Sequence, residues 1–168
     1  MSTSVLFDEL IQLLAQENEL HLNLIETAQQ INQSIRKDDL ASLQKACSIY
    51  DQLICSVEQI EEQRIRSTAR LQKTLGESAP SPRLTSLIDH CDPVQRKKLE
   101  ALKTNLQNSI TELSKINTSN SLLLQEALGA ITSTFKMIKE SSRQKNGYRY
   151  KGDRSRSTAA VSMFNQVM

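Results

Sequence analysis

The stretch of this chain that gathers metal-ligating side chains is Asp89-His90-Cys91-Asp92. A carboxylate, an imidazole and a thiol can each bind a transition metal. Adjacent residues on so short a loop seldom complete a coordination set, however, and no second cluster stands elsewhere in the sequence. The stretch reads as a capped turn. Two Ser-x-x-Lys strings, Ser42-Leu43-Gln44-Lys45 and Ser133-Thr134-Phe135-Lys136, resemble a nucleophile with its base. Neither is followed by a companion motif, and Ser and Lys are abundant here. The glycines (Gly76, Gly129, Gly147, Gly152) stand singly, so no loop of amides is available to cradle a phosphate. His21 is isolated and is expected facing solvent or at the edge of an apolar stripe. Cys47 and Cys55 lie two helical turns apart, at about 12 Å too far to bridge. Three cysteines without framework spacing read as reduced thiols of a cytoplasmic protein. No catalytic, cofactor or metal site is expected, and the chain does not read as an enzyme.

With no chemistry to position, the apolar residues define the organisation. The chain has 168 residues, 38% of them hydrophobic, enough for one domain but not for a broad core. Only 4% are aromatic, Trp is absent, and Gly and Pro are scarce. Strands favour aromatic and β-branched residues and long helices avoid Gly and Pro, so the composition points to an all-α fold. The net charge of +2 is too small to imply a nucleic-acid partner. Asp8 and Glu9 interrupt the first apolar residues and no basic segment precedes them, so no signal peptide is expected. No run approaches the roughly 20 apolar residues of a membrane span.

The longest periodic stretch runs from Pro93 to about Ile138. Leu99, Leu102, Leu106, Leu113, Ile116, Leu123 and Ala127 alternate three- and four-residue steps, with Ser109 and Asn120 in the skipped places. That spacing keeps one stripe on one side of a helix. A buried Asn in such a seam fixes register at a cost in stability. Two earlier helices are expected to cover it. The first spans 4–37, with Leu6, Leu10, Leu13, Leu20, Leu24 and Ile31 in its stripe. The second spans 39–75, capped by Asp38 or Asp39 and stopped by Gly76. Its stripe runs through Leu40, Leu43, Cys47, Tyr50, Ile54, Val57, Thr68 and Leu71, with Glu61 and Arg64 placed to pair one turn apart. Ser81-Pro82 opens a short helix over 82–90, and Asp92-Pro93 opens the third long one.

The first two helices match the third only to about Leu128. Ile131, Phe135 and Ile138 follow without an obvious internal partner, which points to an external one. From Ser141 the chain turns basic and Ser-rich, yet it ends apolar, with Val161, Phe164, Val167 and Met168 at a spacing one side of a short helix can present. The expected layout is therefore an antiparallel bundle of three long helices over 1–140, coiled-coil-like, with a short helix in the second connection and a flexible basic tail over 141–168.

Three stretches carry a family resemblance. They are the acidic break Lys37-Asp38-Asp39-Leu40-Ala41-Ser42-Leu43, the segment Leu113-Ser114-Lys115-Ile116-Asn117-Thr118-Ser119-Asn120-Ser121-Leu122-Leu123, and Tyr148-Arg149-Tyr150-Lys151-Gly152-Asp153-Arg154. Together with the helical layout they resemble the FlgN-like flagellar export chaperones over nearly the whole chain. The Arg/Ser-rich spacing of the tail departs from that pattern. The resemblance implies a cytoplasmic, non-enzymatic protein that binds hook-filament junction proteins through their C-terminal helical segments and delivers them to the flagellar type III export apparatus. Ile131, Phe135 and Ile138 are expected to wall a cargo groove, with Tyr148, Tyr150, Val161, Phe164, Val167 and Met168 closing over the cargo. The partners implied are these proteins alone, with no nucleic acid, no stable membrane insertion, and a monomer or weak homodimer in solution. The alternatives from other classes are a helical module whose basic tail binds anionic lipid or RNA, and a structural coiled-coil dimer.

Overall fold

A computed structural model of the chain describes residues 3–76 and 87–147, and of 142–147 the backbone only. Among the described residues the fold is all-α. Helix α1 is Thr3–Arg36, α2 is Leu40–Leu75 and α3 is Pro93–Gly147. Leu87 and Ile88 are helical, and the first part of the short helix expected over 82–90 lies outside the described residues. No described helix is long and apolar enough to cross a membrane.

Local chemistry sets the helix ends. Asp38 takes a φ of 53°, a left-handed conformation that a short polar side chain tolerates. Asp39 then caps α2, its carboxylate accepting from the Ser42 amide at 3.0 Å and the Ser42 hydroxyl at 2.7 Å. Gly76, at φ 74°, closes α2 by donating its N–H to the Gln72 and Lys73 carbonyls. Asp92 accepts from the amides of Val94 and Gln95, both at 2.9 Å, and Pro93 begins α3. The helix α3 continues to Gly147 rather than ending near Ile138. Adding a residue to an existing helix is far easier than starting one, and Lys139, Glu140, Gln144 and Lys145 are good helix formers.

The chain divides into two units, Met1–Ala127 and Leu128–Met168. In the first, the backbones of α1 and α2 approach closely. Glu9 meets Arg70 at 3.1 Å and Glu17 meets Arg64 at 2.8 Å, so the partner's number on α2 falls as that on α1 rises. Against α3 the numbers rise together. Gln95 donates to Asp8 at 2.9 Å, and Asn120 donates to the Ala28 carbonyl at 2.9 Å. An apolar core centres on Leu6, Phe7, Leu10, Leu14, Leu71 and Leu99, with Leu87 and Ile88 closing over it.

Burial follows the expected α3 stripe closely. Leu99, Ser109 and Asn120 are buried, and Leu102, Leu106, Leu113, Ile116 and Leu123 are half-buried between them. Ala127 is exposed, so the covered part of the stripe ends at Leu123. On α2 the seam differs from expectation: Leu40 and Cys47 are exposed, and Ala46 is buried instead. Its single methyl suits a place where two backbones come close. Phe7, absent from the expected stripe of α1, is among the most deeply buried side chains.

Leu99 is fully enclosed, so Leu99→Ala should destabilise by about 2–5 kcal/mol in urea unfolding, against less than about 0.5 kcal/mol for the exposed Val94→Ala. The Ser42 amide and hydroxyl hold the Asp39 carboxyl below its ordinary pKa. Its contribution is therefore complete above the ordinary carboxylate range and fades as pH falls through the lower folded value. In thermal melts Asp39→Ala should lower the midpoint at about pH 6, and the deficit should shrink as pH falls below the ordinary carboxylate range.

Candidate partner-binding surface

The residues with chemical potential are occupied by structural work. In the Asp89–Asp92 stretch, Asp92 caps α3 while Asp89 pairs with Arg96 at 3.1 Å. Cys91 Sγ donates to the Ile88 carbonyl at 3.1 Å, and burial pushes its thiol pKa up, away from the thiolate that binds metal or attacks. Among the described residues no three His, Cys, Asp or Glu side chains converge as a metal set. The Ser42 hydroxyl is engaged by the Asp39 cap, and Ser133 and Lys136 lie exposed along α3.

Two polar groups cross the interior of the first unit. Glu17 is only 4% exposed and sits 2.8 Å from Arg64, which also reaches Glu61 at 3.4 Å. The sequence pointed to Glu61 as the Arg64 partner, and the shorter contact to α1 was not foreseen. Four residues on, His21 is 8% exposed, which sets aside the solvent-facing alternative and leaves the one at the edge of the apolar stripe. Its Nδ1 lies 2.8 Å from the Glu17 carbonyl, which can only accept, so Nδ1 carries the proton. Both residues fall on the α1 stripe between Leu13 and Leu24, and that placement was the signal available in the sequence. Nearer the other end, Asn120 accepts from Asn32 at 2.8 Å while donating to the Ala28 carbonyl, and Asn117 donates to the Tyr50 hydroxyl at 2.8 Å. The buried Asn120 therefore ties α3 to α1 at one level, a registering bond of the kind its place in the seam implied.

In the second unit, Leu128, Ile131 and Phe135 are 63%, 52% and 57% exposed, and Ile138 is exposed beside them. Their spacing of three, four and three residues puts them on one side of α3. The helix passes through Gly129 without interruption. Ile131, Phe135 and Ile138 thus share one solvent-facing stripe. The other expected cargo residues, Tyr148, Tyr150, Val161, Phe164, Val167 and Met168, lie outside the described residues. The stripe is bordered by Thr132 and Thr134, with the cations Lys136 and Lys139 beside Phe135 and Ile138. Such a surface can offer apolar contact to a second helix and has nothing with which to do covalent chemistry.

Removing the Asn120 amide would strand Asn32 and the Ala28 carbonyl. Asn120→Ala should therefore cost about 1–3 kcal/mol in chemical unfolding, well above the change for Asn117→Ala at the exposed Tyr50 contact.

Comparison with known families finds that the model described as FlgN protein matches residues 1–156. Comparison with curated proteins and with solved structures finds no match. The match takes in all three described helices and the stripe from Leu128 to Ile138, and the chain belongs to the FlgN family, the chaperones of flagellar export.

Proposed function

We propose that this chaperone acts in the cytoplasm by capturing the C-terminal helical segments of hook-filament junction subunits and bringing them to the type III export apparatus. The observation that carries the reading is the solvent-facing row Leu128, Ile131 and Phe135, more than half exposed on a regular helix. A partner helix lays its own apolar face along such a row, reading positions three and four apart. Ile138 extends the wall, and Tyr148, Tyr150, Val161, Phe164, Val167 and Met168 close over the cargo from the far side. The first unit serves as the rigid holder. We read it as an antiparallel bundle of three helices, closed at one end by the short helix over 82–90. The opposed numbering of the α1–α2 contacts and the matched numbering of the α1–α3 contacts support this arrangement. The reading includes no catalytic step, no nucleic acid and no membrane insertion, and a monomer or weak homodimer as the working form.

Moderate affinity suits the task, since an export chaperone must let go. Ordering a chain segment around the cargo offsets part of the contact energy. The test is titration calorimetry or a pull-down with the C-terminal segment of a hook-filament junction subunit. Burying one Phe is worth about 1.5–3 kcal/mol, so Phe135→Asp should weaken binding about ten- to a hundredfold. Its thermal midpoint should stay near that of the parent because the side chain is exposed. Binding should change little with salt, whereas capture of lipid phosphates or RNA by the basic tail would weaken steeply. Undiminished cargo binding by Phe135→Asp would overturn the role of this stripe.

A further inference from the structure

We infer that, in the empty protein, the stripe Leu128, Ile131 and Phe135 is covered by the chain's own segment 157–168, which cargo must displace. The displacement by cargo rests on the cargo reading; the covering itself concerns the molecule with nothing bound and is tested without cargo.

Four observations select this occupant. The first is length. Leu128 and Phe135 stand seven positions apart, two turns of helix, and so do Val161 and Met168. The second is charge. The segment Ser157-Thr158-Ala159-Ala160-Val161-Ser162-Met163-Phe164-Asn165-Gln166-Val167-Met168 carries no Asp, Glu, Lys or Arg, and the stripe is bordered by Thr132 and Thr134, with Lys136 and Lys139 flanking its C-terminal end, where their long stems can keep the charge in water. Docking one on the other desolvates no charged side chain on the segment, a penalty that would otherwise run to several kcal/mol per ion. The intervening basic residues Arg149, Lys151, Arg154 and Arg156 stay in water as part of the tether. The third is reach. From Gly147 back to Leu128 is about 29 Å along the helix at 1.5 Å per residue. The residues 148–160 can extend over about 43 Å, so the connection closes without strain.

The fourth is area, which argues against a second copy of the chain. A stable dimer interface takes roughly 20–30 residues from each side, and a lasting coiled coil takes three or more heptads. The exposed row of the second unit offers two heptads at most. A surface too small for a lasting dimer of this chain can still hold a tethered segment, since a short linker supplies an effective concentration in the millimolar range. The same tether gives cargo a defined competitor. The apparent affinity for cargo falls by the fraction of molecules whose stripe is open.

The chain has no Trp, so Phe164→Trp in the full-length protein places the sole indole on the segment. In the absence of cargo its emission should be blue-shifted and shielded from acrylamide. Adding Phe135→Asp and Leu128→Asp, both at exposed positions, should return emission and quenching to the values of a free peptide copying 157–168. The shift should persist through about a hundredfold dilution, as an intramolecular contact requires. Water-like emission in the parent Phe164→Trp protein would overturn the inference. So would a blue shift indifferent to the two Asp substitutions, or one lost on dilution, which would mark a second copy as the occupant. No cargo enters the measurement, so its outcome is separate from that of the cargo titration.

Discussion

Burial of the α1 stripe is the constraint on which the first unit depends. Of the fourteen buried apolar side chains among the described residues, nine belong to α1, from Leu6 to Ile31. The helix is covered along nearly its whole length, while α2 and α3 each leave a broad face in water. At roughly 25 cal/mol per Å² of apolar surface removed from water, no polar contact in the molecule approaches this contribution. It also explains the division of labour among the helices. One serves as the spine, and the other two lie against it and keep surfaces to spare.

Apolar burial is non-directional and would tolerate a slide of one turn. The polar groups remove that freedom. Glu17, nearly sealed from solvent, has its charge met by Arg64 of α2 at one alignment only. Asn120 meets Asn32 and the Ala28 carbonyl in the same selective way on α3. Gln95 adds a third tie near the start of α1 through Ser4 and Asp8. These bonds add modestly to stability, since each replaces bonds to water. Their effect is to hold the three helices of the first unit in one register.

In the second unit the same helix presents Leu128, Ile131 and Phe135 to solvent. A row of this kind is costly to leave wet and hazardous in a crowded cell, so its retention fits an export chaperone. Membership of the FlgN family makes the chain a flagellar export chaperone, and the exposed row is the feature on which the proposed capture of cargo rests.

Much of this was legible in the residues themselves. The caps at Asp39 and Asp92, the stop at Gly76 and the α3 seam through Leu99, Ser109 and Asn120 follow from turn chemistry and a three-four spacing, which act within a few residues of each other. The exposed row was legible too, because it follows from comparing helix lengths. Other features were decided only when the helices met. Periodicity locates a stripe to within one neighbouring position, and adjacent positions on a helix differ by only 100°. Which of Ala46 and Cys47 turned inward therefore depended on how near the α1 backbone came. The burial of Glu17 depended likewise on Arg64 arriving opposite it. A sequence read one helix at a time specifies which faces are apolar; the approach of a second helix determines which of the borderline residues are taken out of water.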